Sequence, residues 1–210
     1  MSAPRPEPPH TEAELLTRAH AIAGRTLGEL ATAANVPIPA EPRRAKGLAG
    51  RLVEHALGAD AGSAAAPDFS ALGVELKTIP LAADGRPRES TFVCSIRLSD
   101  IADTEWERSR AQRKLARVLW VPIESDPALS LADRRIGTAR LWSPSPDQEA
   151  ALRADWEELA GLIGRGEHDA LTARLGQYLQ VRPKAANASV RARGSDEAGA
   201  PVSTPPRGFY

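Results

Sequence analysis

A single cysteine, Cys94, stands in the 210 residues. No internal disulfide can form from it, which suits a reducing, cytoplasmic setting. Histidine is scarce as well, with 4 in the chain, too few beside one cysteine for a zinc cluster of ordinary spacing. Charge of one sign is not in excess, because Lys+Arg and Asp+Glu balance at 27 each. A coat protein for nucleic acid is thereby disfavoured, whereas a DNA enzyme with locally clustered basic residues remains open, since binding follows the local field. No apolar run is long enough to span a bilayer. The opening MSAPRPEPPH lacks the apolar stretch of a signal peptide. What is present is 42% hydrophobic residues, enough for a globular core in one domain or two closely packed lobes.

The proline-rich residues 1–10 predict a disordered tail ahead of a folded domain over 11–210. Thr11 followed by Glu14 marks a helix start, with Leu15, Leu16, Ala19 and Ile22 at helical spacing. A short helix is expected over 26–34, and another over 46–57, closed by Gly58. Val74–Ile79 alternates as a strand does. The Asp84-Gly85 turn and the run TFVCSIRL over 91–98 then predict a long antiparallel hairpin. RVLWVPI over 117–123 is apolar enough for a central strand buried on both faces, and Ala139–Trp142 predicts another. Ser145-Pro146 predicts a helix start, with Leu152, Trp156, Leu159 and Ile163 as its apolar stripe. A further helix is expected over 168–175 and a strand over 178–181. Residues 187–206 hold few large apolar side chains and predict a flexible linker or long loop.

Asp68 followed by Glu75-Leu76-Lys77 carries the chemistry. Residues two apart on a strand share a face, so Glu75 and Lys77 project together. Such charges on an apolar strand are costly unless they are paired or bound to something. Asp68 can reach the same point from the preceding loop, and Glu54 can supply a third carboxylate from the helix before it. Clustered carboxylates suit a hard cation such as Mg²⁺, and the Leu76 backbone carbonyl is a plausible extra ligand. An ammonium beside them can steady developing negative charge and orient a water. A phosphodiester is the natural substrate for that set. The same triplet also fits an exposed cross-strand ion pair, so the pattern alone leaves both readings open.

The segments TLGELA, KGLAGRLVE, AGSAAAPDFSALGVELKTIP, GRPRESTFVC, RKLARVLWVPIE, DWEEL, RPKAAN and PRGFY closely resemble the MutH family of methyl-directed mismatch-repair endonucleases, from about Leu15 to the last residue. The resemblance implies an α/β, restriction-endonuclease-like fold: a mixed β-sheet flanked by helices, with two lobes around a DNA cleft. It implies a Mg²⁺-dependent nick, with Mn²⁺ able to substitute, 5′ of an unmethylated GATC in hemimethylated double-stranded DNA. It further implies a monomer activated by MutL, with MutS acting indirectly. The family's catalytic carboxylates fall on Glu54, Asp68 and Glu75, which with the Leu76 carbonyl would hold the metal. Its catalytic lysine falls on Lys77, and Lys114 matches a further active-site lysine. The DNA-contacting positions fall on Lys46, Phe92, Arg182, Lys184 and Tyr210. Proteins of the family continue past the GFY motif with a further segment. Rival expectations are a GATC restriction endonuclease cutting both strands and a catalytically silent DNA-binding adaptor.

Several of these residues also have simpler readings. Arg108, Arg110, Arg113, Lys114 and Arg117 can contact phosphate or form a solvated face neutralised by Asp103, Glu105 and Glu107. Arg182 and Lys184 can reach guanine in the major groove or be ordinary loop charges. Phe92 can wedge between bases or join the core. Tyr210 can sense an adenine methyl group or fray at the terminus. Cys94 reads as an inert buried thiol, His55 as a helix-surface residue, and Trp106 as partly exposed.

Overall fold

The computed structural model describes residues 4–39, 45–62, 65–98, 100–172, 174–184, 191–195 and 200–210. The chain divides into two compact units, Met1–Ser90 with Arg117–Ser143, and Thr91–Ala116 with Pro144–Tyr210.

In the first unit, helix α1 (Glu12–Ala21) starts at Thr11, whose hydroxyl accepts the Glu14 N–H at 3.1 Å. The Glu14 carboxylate accepts the His10 N–H and also pairs with Arg18. Helix α2 (Leu27–Ala33) has a full capping box between Thr26 and Glu29. Helix α3 (Leu48–Leu57) ends at Gly58, which takes φ 81°. A side chain at Gly58 would stand 2.6 Å from the Glu7 carbonyl oxygen, so only glycine lets the leading segment lie this close. Arg18 Nη1 donates to the Glu7 carbonyl at 2.6 Å and to the Leu57 carbonyl at 3.2 Å, and Arg5 donates to the Ala59 carbonyl. The expected disordered tail is therefore corrected for residues 4–10, where backbone carbonyls and two guanidinium groups fasten the chain to the end of α3. Residues 1–3 lie outside the described ones.

Strands β1 (Glu75–Leu81), β3 (Val118–Glu124) and β4 (Arg140–Trp142) form a sheet in the order β1-β3-β4. β1 runs parallel to β3, with Glu75 opposite Val118, and β4 runs antiparallel to β3, with Trp142 opposite Val118. The central position expected of RVLWVPI is thus observed. The long hairpin is not: the Asp84-Gly85 turn folds the chain back only as far as Arg88, whose N–H reaches the Pro80 carbonyl at 3.0 Å. β3 takes the other edge of β1, where its alternate side chains Leu119, Val121 and Ile123 are buried with Leu76, while the charged segment after the turn has little apolar area to bury along the free edge. Leu15, Leu27, Leu52, Val53 and Phe69 complete this core from the helices and the loop before β1.

In the second unit, helix α4 (Arg110–Leu115) is capped by Ser109 and helix α5 (Pro146–Gly164) by Ser145, with proline in its first turn as expected. Leu152, Trp156, Leu159 and Ile163 are all buried. Trp106 is 3% exposed and tilts against Trp156 at 6.1 Å between ring centres, correcting the expectation of partial exposure. Its indole N–H remains satisfied through Glu149 at 2.8 Å, which is how so large a ring can be covered.

A second sheet has the antiparallel order β2-β8-β5, from Cys94–Ser95, Arg207–Phe209 and Val181–Pro183. Cys94 is buried there. β6 (Ala192–Ser195) pairs with β7 (Pro201–Thr204). Part of the expected linker over 187–206 is therefore a two-stranded ladder, since backbone pairing does not require large side chains; 187–190 and 196–199 lie outside the described residues. The helix expected over 168–175 shrinks to one 3-10 turn, His168–Ala170, between Gly166 and Gly176, both at positive φ. Among the described residues no helix is long and apolar enough to cross a membrane.

Candidate functional site

The pleat of β1 sorts its side chains. Leu76 enters the core while Glu75 and Lys77 occupy the opposite face. Lys77 Nζ donates to Glu75 Oε1 at 2.7 Å, and the two side chains are 14% and 3% exposed. The pair is thus not the exposed ion pair that the triplet alone allowed.

Asp68 arrives through the loop ahead of β1. Phe69 and Val74 bridge across a tight turn with Gly73 at φ 65°. This closure brings Asp68 Oδ2 to the Leu76 N–H at 2.9 Å. β1 is an edge strand, and the Glu75 N–H already points to β3 through the Arg117 carbonyl at 2.9 Å. Alternate amides of a parallel strand point to opposite edges, so the Leu76 N–H faces the open side and needs a partner. Its carbonyl faces that side too. Asp68 is 7% exposed, so the carboxylate is largely withdrawn from solvent. The open edge of β1 is covered at this point by the carboxylate itself.

Glu54 completes the group from α3, which packs against β1. A Cβ at Gly50 would lie 3.9 Å from Glu54 Oε1 and 3.8 Å from Thr78 Oγ1, ordinary contact distances that place the Glu54 carboxylate and Thr78 around one point of the helix face. Burial pushes the Glu54 carboxyl above its usual value of 4.5, with Glu75 adding to the shift and Arg5, Lys77 and Arg51 opposing it. A raised carboxyl favours the folded state most when protonated. That contribution is complete below 4.5 and is lost as pH rises through the folded value. Glu54→Gln is therefore expected to raise the melting temperature of the EDTA-treated protein at neutral pH. Below the usual glutamate range the difference should vanish. An unchanged or lower melting temperature at neutral pH would contradict this electrostatic account.

The donor set consists of hard carboxylate oxygens with an open-edge carbonyl, which fits Mg²⁺ in chemistry. Among the described residues, no three His, Cys, Asp or Glu side chains stand together as a ready metal cage. Lys77 holds Glu75 and the Leu76 amide holds Asp68, so each carboxylate has a donor against its charge. Mg²⁺ does not need such a cage, because one or two carboxylates usually suffice, with water and phosphate oxygens completing its shell.

In the second unit, the residues matched to DNA contacts converge although they lie far apart in sequence. β8 is flanked by β2 and β5, so Phe92, Arg182, Lys184 and Tyr210 meet. Phe92 and Tyr210 pack edge to face at 5.4 Å, Arg182 lies 5.7 Å from the Tyr210 ring centre, and Lys184 Nζ is 3.6 Å from that of Phe92. Lys184 Nζ also donates to Ser95 Oγ at 3.0 Å. A side chain at Gly208 would come within 2.8 Å of Phe92, which explains the glycine of the GFY motif. Tyr210 does not fray: its N–H reaches the Gln180 carbonyl at 2.9 Å and its carbonyl accepts from Gln180 at 3.0 Å. Ser95 and Gln180 had no sequence signal, since only the pairing of β2, β8 and β5 brings them here.

Lys114 lies almost fully buried on α4 of the second unit, while Lys46 is exposed in the first, at the start of α3. Lys46 lines an open groove with Gly50, Thr78 and Arg134. Arg117 leaves the basic cluster for a structural role, binding Glu12 through two nitrogens at 2.8 and 2.6 Å. His55 is half-buried on α3.

Residues 57–155 match the family model described as "DNA mismatch repair enzyme MutH". The DNA mismatch repair protein MutH of Yersinia pseudotuberculosis is 51% identical over 205 residues, covering 98% of this chain and 90% of that protein. Its namesake from Yersinia pestis matches to the same degree. That of Yersinia enterocolitica is 50% identical over the same 98% and 90%. With about half of its residues shared along nearly all of its length, the chain belongs to the MutH family of DNA mismatch repair proteins.

Proposed function

We propose that this protein is a Mg²⁺-dependent DNA endonuclease. It nicks the unmethylated strand 5′ of GATC in hemimethylated duplex DNA, within methyl-directed mismatch repair, and MutL activates it after MutS has found a mismatch. The observation that carries the reading is the largely buried Lys77–Glu75 pair on β1, with Asp68 on the adjacent Leu76 amide and Glu54 within electrostatic reach of both members of the pair, in a chain of this family. Glu75, Asp68 and Glu54, with the Leu76 carbonyl, are the groups that would hold the metal. Mg²⁺, when bound, lowers the pKa of a water and neutralises charge on the scissile phosphate. Lys77 then has an ammonium beside the reacting phosphate, where it orients the attacking water and stabilises developing negative charge. Exposed Lys46 adds positive charge for the DNA backbone, whose affinity falls steeply with salt, and Lys114 is assigned to the active site through the family alone. The protein would act as a monomer in the cytoplasm, with one active site per molecule cutting one strand.

A cleavage assay on unmethylated, hemimethylated and fully methylated GATC duplexes, with and without Mg²⁺, tests substrate, cofactor and strand choice together. The expected product is a single nick in the unmethylated strand of the hemimethylated duplex, in Mg²⁺ only, and faster with MutL. Concerted double-strand breaks would identify a restriction endonuclease. Binding without cleavage under every condition would identify a silent adaptor.

Arg182 and Lys184 are assigned to guanine, where a bidentate contact contributes about 1–3 kcal/mol of discrimination. Arg182→Ala is therefore expected to reduce the preference for GATC over a scrambled duplex by roughly tenfold or more. A variant that keeps the native preference would remove Arg182 from the set of base-reading residues.

A further inference from the structure

Asp155, in the DWEEL segment, is a carboxylate on the buried side of α5, 8% exposed. Its oxygens accept three consecutive backbone N–H groups. Oδ1 takes that of Gln177 at 2.8 Å, and Oδ2 takes those of Tyr178 at 2.6 Å and Leu179 at 2.9 Å. Three successive amides can converge on one carboxylate only if the chain reverses sharply before them. Gly176 supplies that reversal at φ +84°, where a Cβ would lie 1.9 Å from the Leu179 carbonyl oxygen.

The anchored turn leads directly into the face that carries the base-reading candidates. Gln180 exchanges two backbone hydrogen bonds with Tyr210, and its side-chain oxygen accepts from Arg182 Nη2 at 2.6 Å. Arg182 lies opposite Gly208 in the β5–β8 pair, and the Lys184 N–H donates to the Pro206 carbonyl at 2.7 Å. The clamp thus connects α5, the longest helix of the described residues, to a three-residue strand with reading side chains on and beside it. Burying a carboxylate is costly unless its oxygens are satisfied, and an apolar residue would pack α5 without that cost. What the carboxylate supplies is a fixed position for three amides in a loop, and recognition depends on side chains held within a fraction of an ångström of their targets.

We propose that Asp155 is a positioning residue for DNA recognition: by clamping the amides of residues 177–179 to α5, it sets the aim of Arg182 and Tyr210. This rests on the reading of Phe92, Arg182, Lys184 and Tyr210 as the DNA-contacting face.

Asp155→Asn keeps the volume but sets an NH₂ group against backbone donors. Affinity for a hemimethylated GATC duplex, measured with Ca²⁺ in place of Mg²⁺, is expected to fall about tenfold, the effect of losing a charge-assisted hydrogen bond. Affinity for a scrambled duplex should stay near native, KM should rise much more than kcat falls, and amide exchange should quicken at residues 177–179. Gly176→Ala should reproduce the same loss of discrimination without altering the carboxylate, and Arg182→Ala is the control. If Arg182→Ala loses discrimination while a folded Asp155→Asn retains it, the positioning assignment is overturned. If Asp155→Asn does not fold, Gly176→Ala decides: lost discrimination supports the assignment and native discrimination overturns it. If Arg182→Ala itself discriminates normally, the DNA-contacting face is wrong and the assignment falls with it.

Discussion

Lys77→Ala is expected to slow strand cleavage by about a hundred- to a thousandfold, the usual cost of removing one donor aimed at developing charge, while duplex binding changes only a few-fold. Its ammonium sits 2.7 Å from Glu75 on a face of β1 where both side chains are largely buried. On the proposed reading the lysine has two roles. In the resting protein it balances Glu75, and beside a bound phosphate it would face the attacking water. Removing one member of a largely buried pair is destabilising, so the variant should also melt lower in EDTA. Mg²⁺ should restore much of that loss, because a cation bound by Glu75 replaces the missing charge and stabilises the folded state by mass action. Nicking of a hemimethylated GATC plasmid at the native rate by this variant would defeat the mechanism. Equal melting losses with and without Mg²⁺ would instead leave Glu75 outside the metal site.

Two substitutions at Asp68 separate chemistry from folding. The carboxylate is buried and one oxygen accepts the Leu76 N–H on the open edge of β1. Asp68→Asn retains an acceptor for that amide but loses the charge a cation needs. Cleavage should fall by at least about a hundredfold, the upper end of the loss seen for mere outer-shell partners of a metal, with little change in melting. Asp68→Ala removes the acceptor as well and leaves a buried amide unsatisfied, at a further cost of about 1–3 kcal/mol. Thermal melts and Mg²⁺ titrations of the two variants give the comparison. Severe destabilisation by Asp68→Asn would mark the residue as part of a structural network alone.

The candidate active site was legible in part because its members are close in sequence. The spacing of two between Glu75 and Lys77 places them on one face of a strand, and Asp68 is separated from them by one short turn. Neither the burial of Asp68 nor its bond to the Leu76 amide could be read, because both depend on β1 being an edge strand. The partner of β1 was misread for a related reason. Asp84-Gly85 is a strong local turn signal, whereas nothing in RVLWVPI states which strand it will lie beside.

The face proposed to contact DNA shows the opposite case. Phe92 and Tyr210 were matched through the family, while their local patterns favoured core and a frayed end. Their edge-to-face contact, with Arg182 and Lys184 over the rings, results from β8 joining strands that come from opposite ends of the second unit. Asp155 belongs here as well, since a single acidic residue in an amphipathic helix looks like any other until three amides are found on it.

By itself the sequence determined the capped starts of α1 and α5, the helical spans of α2 and α3, the apolar stripe of α5, the β3 strand and the acidic character of β1, because capping and hydrophobic periodicity act over a few residues; it did not mark α4. The tertiary structure alone decided strand partners, which carboxylates are covered, and which distant cations and aromatics share a face. Those outcomes follow from competition among long-range burials and backbone pairings of similar energy, and no short stretch of chain records which of them wins.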